Sequence, residues 1–178
     1  MNRPYRPVCR AGVLAGSLLC LAVALPAATQ TTHEQEHEHG HEHGHAGGAV
    51  ANLQLDEGRK WATDEPLRAG MAAIRDAFDA DHPAIHHGEQ TDAQYEALAG
   101  RIETQVQSIV ANCRLPPAPD ANLHYIIADL MQGVGFMRGQ DPARSRHAGA
   151  ARVHGALIAY GEFFDDPGFA TSDPHGQH

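Results

Sequence analysis

From His33 to His45 the chain reads His-Glu-Gln-Glu-His-Glu-His-Gly-His-Glu-His-Gly-His, which places six of its fourteen histidines in thirteen residues without one apolar side chain. Such a segment cannot join a hydrophobic core, because it has no apolar surface to remove from water. It therefore divides the 178-residue chain into a leader before it and a stretch long enough for one domain after it.

The run has a chemistry of its own. Neutral imidazole is a good donor to Zn²⁺, Cu²⁺ and Ni²⁺. From His37 to His45 every second residue is histidine, and the residues between are Glu or Gly. Glu adds negative charge and oxygen donors, and Gly adds backbone freedom. Nothing in the run fixes one geometry, as a structural zinc site would require. His33, His37, His39, His41, His43 and His45 are thus expected to act as an adaptable chelator that shifts between registers. Binding should weaken as pH falls, because protons compete for the same nitrogens. The alternative is a solvated low-complexity linker.

The leader carries Arg3, Arg6 and Arg10 and no acid. An apolar or small stretch, 11–25, and then Pro26-Ala-Ala28 follow. Basic, apolar, then small is the order of a secretory signal, and the apolar run is short and Ala-rich for a membrane span. Cleavage after Ala24 and cleavage near Ala28 both fit. The expected organisation is a signal peptide over 1–28, a disordered His-rich arm over 29–50, a helical domain over 51–169 and a flexible tail over 170–178. Export implies a periplasmic protein.

Loss of the leader removes Cys9 and Cys20, leaves Cys113 as the one cysteine and so excludes an internal disulfide. It also leaves 13 − 3 = 10 basic residues against 22 acidic ones, a net charge of −12 with histidine neutral. An acidic surface argues against nucleic acid or anionic lipid as partner and is compatible with cations.

After the run the apolar residues recur at helical spacing. Leu67, Met71, Ile74 and Phe78 form one face, capped by Thr63 or Asp64, with Asp81-His-Pro83 expected to end or kink the helix. Thr91-Asp-Ala-Gln94 is a capping box, and the helix it opens carries Tyr95, Leu98, Ile102, Val106, Ile109 and Cys113. Pro116, Pro117 and Pro119 then stop it. Asp120 is expected to cap a third helix with Leu123, Ile127, Leu130, Val134 and Met137 on its stripe. Gly133 and Gly135 weaken that helix and permit close approach by a neighbour. Asp141-Pro142 is expected to open a fourth helix with Ala150, Val153, Leu157, Tyr160 and Phe164 on one face. Trp61 should close one end of the core with its indole N–H bonded. No stretch shows the alternation of a sheet. The fold class expected is all-α, an antiparallel four-helix bundle.

Inside the bundle, His124 and Met131, seven residues apart, offer a soft copper(I) site with Met71 or Cys113; the competing reading makes the methionines core filler and His124 a boundary residue. Cys113 on its apolar stripe reads as buried, against a ligand or a dimer-forming thiol. His82, His86 and His87 form a candidate minor metal site at the first interhelical turn, lacking a fourth ligand. His147 and His154, too far apart along one helix to share a zinc ion, read as boundary residues. No phosphate loop, nucleophile elbow or His-Glu-x-x-His appears, and no Cys-x-x-Cys-His for attached haem. An enzyme is not expected, nor is an organic cofactor; a non-covalent haem between Met71 and His124 is the least favoured of the options.

Leu55-Asp-Glu-Gly58-Arg-Lys-Trp61, Asp64-x-x-Leu67-Arg-x-Gly70-Met71, Asn112-Cys113-x-Leu115 and Asp120-x-x-Leu123-His124 together resemble small exported helical-bundle proteins of Gram-negative bacteria with a His-rich leader. The resemblance spans roughly 53–169. It implies a periplasmic bundle that handles heavy metals, draws attention to Cys113 and His124, and carries no established activity. The reading is a periplasmic binding protein for divalent Zn, Cu or Ni. The alternative is a structural or interaction module that docks on another envelope protein, with the His-rich arm incidental.

Overall fold

The computed structural model describes residues 47–169; the leader, the His33–His45 run and the tail lie outside the described residues. Four helices make up most of this part: α1 (Glu65–His86), α2 (Asp92–Asn112), α3 (Pro117–Met137) and α4 (Arg146–Phe163). Each apolar stripe turns inward. Leu67, Met71, Ile74 and Phe78 of α1, Leu98, Ile102 and Ile109 of α2, Leu130 and Met137 of α3, and Val153, Leu157 and Tyr160 of α4 form one buried core. The stripe of α3 runs through Ile126, fully buried, whereas Ile127 only flanks it.

Partners along consecutive helices run in opposite directions. Asp81 of α1 pairs with Arg101 of α2, while Gly70, eleven residues earlier, faces Ile109. Arg138, at the C-terminal end of α3, reaches back to Glu96 and Glu103 of α2. Asp129 of α3 meets Arg152 of α4, and Met137 of α3 meets Gly149. Helix α1 also packs on α4, which closes the bundle. Among the described residues no helix is long and apolar enough to cross a membrane.

Several boundaries differ from the sequence expectation. The capping box at Thr91 and Gln94 is present, with the Gln94 backbone nitrogen 3.3 Å from Thr91 Oγ1. Asp64, not Thr63, caps α1. Asp120, however, lies inside the first turn of α3, which begins at Pro117. Proline has no N–H to lose there, so Pro117 and Pro119 fit the first turn of that helix, while α2 has already ended at Asn112. Asp141 closes a turn of its own by accepting the Ala143 N–H at 2.9 Å, and the cap of α4 is Ser145, whose hydroxyl accepts the Ala148 N–H at 3.0 Å.

Two strands of two residues each also appear: β1 (Trp61–Ala62) pairs in parallel with β2 (Phe164–Asp165). Strands this short show no periodicity to read. Trp61 packs against the core, and its indole N–H donates to the Gln54 carbonyl at 2.6 Å.

The last residues of the arm expected to be disordered over 29–50 are instead anchored. Ala49–Asn52 forms a 3₁₀ turn, and the Asp129 carboxylate accepts the N–H groups of Ala49 (2.9 Å) and Val50 (3.2 Å). A side chain on Gly48 would collide with Asp129 and Arg152.

Candidate metal centre

Four of the six histidines among the described residues, His82, His86, His87 and His154, gather where α1 ends. Helix α1 does not stop at Pro83 but runs through it to His86. Pro83 removes one N–H from the helical ladder and is exposed, and only one further turn follows it, so the loss is confined to the fraying end. The stop is Gly88. It adopts φ +70°, its N–H donates to the Ile85 carbonyl at 3.1 Å, and the Glu89 N–H donates to the Ala84 carbonyl at 2.8 Å. Those two bonds form a Schellman closure, which favours glycine at the left-handed position.

Because the helix continues, His82 and His86 stand one turn apart on one face, their ring centres separated by 6.1 Å. His87 lies edge-on to His86 at 5.2 Å. The addition that the sequence reading did not foresee comes from α4. The His154 ring lies 5.6 Å from that of His82, and it stacks on Phe78 at 5.3 Å with an interplanar angle of 15°. Phe78 and His82 are themselves four residues apart on α1, with ring centres 5.7 Å apart. His82 and His154 are half-buried, and His86 and His87 are exposed. Asp81 beside them is engaged by Arg101 at 2.7 Å and by the Gln90 amide at 3.1 Å. As the rings stand, no three His, Cys, Asp or Glu side chains among the described residues already surround one metal position.

Two signals in the sequence point to this cluster. One is the i, i+4 spacing of His82 and His86, hidden by taking Pro83 as a helix stop. The other is His154 at the middle of α4, beside the buried positions Val153 and Leu157. Bundle closure then sets that helix against α1.

The other sequence-nominated residues are not brought together in this way. Cys113, half-buried, is the C-cap of α2. Burial, and then its hydrogen bond to the Asp64 carboxylate, push its thiol up to about 11. His124 is 68% exposed and turns its Nδ1 toward the Asp120 carbonyl of its own helix at 2.8 Å. Met131 packs on the flank of the core, and Met71 is fully buried within it. An exposed His124 and a fully buried Met71 do not face one cofactor. The six histidines of the His33–His45 run lie outside the described residues.

The Asp64 carboxylate ties together the other end of α1 and the end of α2. It accepts the Leu67 N–H as helix cap at 2.9 Å and the Arg114 N–H of the α2–α3 loop at 2.6 Å. Burial pushes this carboxyl up, but those two N–H groups, the Cys113 thiol and the Arg68 charge outweigh it and hold the group below its ordinary value.

Comparisons with protein-family models, with curated proteins and with solved structures find no match to this chain.

Proposed function

We propose that this is an exported, periplasmic binding protein for a divalent transition metal, Zn²⁺, Cu²⁺ or Ni²⁺, with the His33–His45 run as its capture segment. The observation that carries the reading is the alternation of histidine with Glu or Gly in that run, placed directly after a basic, apolar, then small-residue leader. The bundle serves as its carrier. Its anchored root at Ala49 and Val50 supports that role, because it ties the chain to α3 four residues after His45. Buffering, scavenging and delivery to another envelope protein are all within the reach of such a device.

The test compares the full chain with a variant in which the six histidines of the run are changed to Asn. Equilibrium dialysis against Zn²⁺, Cu²⁺ and Ni²⁺ at neutral pH should show several ions bound by the first and a loss of most of them in the second. Binding by the full chain no better than millimolar overturns the reading.

A further inference from the structure

The helical bundle holds a metal site separate from the His33–His45 run: we propose that His82 and His86 of α1 and His154 of α4 bind one Zn²⁺, or a similar borderline divalent ion, through three imidazoles.

Three observations carry it. First, His82 and His86 have the i, i+4 spacing with which two histidines of one helix share a zinc ion, and α1 is helical across both. Second, with Zn–N bonds of about 2.0–2.1 Å, two imidazoles on one tetrahedral ion have ring centres about 5 Å apart. The rings of His82 and His154 are 5.6 Å apart, and those of His82 and His86 are 6.1 Å apart. In these two pairs the rings therefore need to turn and close by roughly an ångström. The exposed His86 can do this by rotation about its side-chain bonds. Third, the third ligand comes from a different helix and is held in place. His154 stacks on Phe78, so its ring is positioned by the core before any ion arrives. Three histidines from two helices leave one coordination position open for water, for the neighbouring His87 or for a ligand of a receiving protein.

This site differs in kind from the run. The run carries six histidines at mostly alternating positions of the sequence; the bundle offers few donors at set positions. The bundle site should therefore hold one ion per chain.

The test uses the full chain with the six histidines of the run changed to Asn, which silences that segment alone. Co²⁺ is the probe, because its tetrahedral complexes absorb strongly in the visible, with Zn²⁺ as competitor. The site predicts one Co²⁺ per chain, a visible absorption band abolished by Zn²⁺, and at least tenfold weaker binding in His82→Asn, His86→Asn and His154→Asn. His147→Asn, exposed near the start of α4, should bind as the parent does. His86 is exposed, so His86→Asn reports on the site even if a change at half-buried His154 disturbs packing. Absence of Co²⁺ binding in the silenced chain overturns the proposal, and so does binding that survives all three substitutions. The converse chain, with His82→Asn and His154→Asn but an intact run, separates the two readings. It loses binding only if the run itself is inert.

Discussion

Asp129 of α3 and Arg152 of α4 form an ion pair at 2.8 Å, and the same carboxylate accepts two N–H groups near the start of the described residues, those of Ala49 and Val50. Asp129 is 3% exposed, so its charge is compensated by these donors and by little else. One carboxylate thus joins two helices and the 3₁₀ turn at Ala49–Asn52. Removing one member of a buried pair leaves the other uncompensated, which costs on the order of 3–5 kcal/mol. Asp129→Ala should lower the stability of the bundle by an amount of that order in urea unfolding. It should also open the chain around Ala49–Asn52 to limited proteolysis under conditions where the parent is resistant. Asp129→Asn, which keeps one acceptor, should lose less. A root as protected in Asp129→Ala as in the parent would show that the 3₁₀ turn is held by other contacts.

Helices α3 and α4 meet through two glycines. A Cβ on Gly149 would lie 2.6 Å from the Gly133 carbonyl oxygen and 2.7 Å from the Met137 nitrogen, and one on Gly133 would lie 2.7 Å from the Gly149 oxygen. The obstacles are backbone atoms, which cannot rotate away. Gly149→Ala and Gly133→Ala should therefore push the helices apart and destabilise by about 1–3 kcal/mol, even after the helix preference of Ala is counted. Gly100 and Gly155 lie in helices where an added methyl group would meet open space, so Gly100→Ala and Gly155→Ala should stabilise by roughly 0.5–1 kcal/mol. Thermal unfolding of the four single variants tests the contrast. Equal effects at all four positions would mean that close approach does not govern this interface.

Three of the four stripes were legible from apolar spacing: Leu67 to Phe78, Tyr95 to Ile109 and Ala150 to Phe164 all face the core as their spacing requires, whereas in α3 Ile126 takes the buried place expected of Ile127. The close approach at Gly133 was legible too, since a glycine in a helix interior is costly without a packing reason. What misled were residues with two roles. Proline both stops and starts helices, so Pro117 opens α3 and Pro83 sits inside α1. Aspartate both caps and turns, so Asp141 closes a turn four residues ahead of the Ser145 cap. The misplaced stop at Pro83 hid the pairing of His82 with His86. The meeting of His82 with His154 depends on how α1 and α4 close the bundle, and no local pattern encodes that. Cys113 and His124 drew attention by residue type, yet each has a separate partner, Asp64 and the Asp120 carbonyl.

The acid limb of stability should report on Asp64 and Glu103. Both carboxyls are held below their ordinary values. For Asp64, burial opposes the shift and the hydrogen bonds of Arg114, Leu67 and Cys113 outweigh it; for Glu103, the cause is the hydrogen bond from Arg138. A carboxyl with a depressed folded value contributes stability that is full above its unfolded value and is lost as pH falls through the folded one. Unfolding free energy should thus be steady at neutral pH and fall below about pH 4, the ordinary carboxylate range. Asp64→Ala removes a helix cap as well, worth about 0.5–2 kcal/mol, and should flatten that acid limb while lowering the plateau. An acid limb unchanged in Asp64→Ala would place the titration elsewhere.

The thiol of Cys113 should be inert while the protein is folded. Burial and the Asp64 carboxylate raise it to about 11, so at about pH 7–9 it remains the neutral thiol, and the thiolate is the form that alkylating reagents attack. Iodoacetamide should therefore modify native protein far more slowly than protein in denaturant. Asp64→Asn should speed the native reaction, because the negative charge beside the sulfur is gone. The linkage runs opposite to that of Asp64. A thiol raised on folding contributes stability that is present below its unfolded value of about 9 and is lost as pH rises through the folded value of about 11. Above the unfolded value the unfolded chain has already released its proton, and that release draws the equilibrium toward unfolding. Tyr160, also raised, chiefly by burial and then by Asp166, adds to that alkaline loss. Cys113→Ser should remove the thiol's share and leave that of Tyr160. Native Cys113 that alkylates as fast as the unfolded chain at about pH 8 would mean that the contact with Asp64 does not persist in solution.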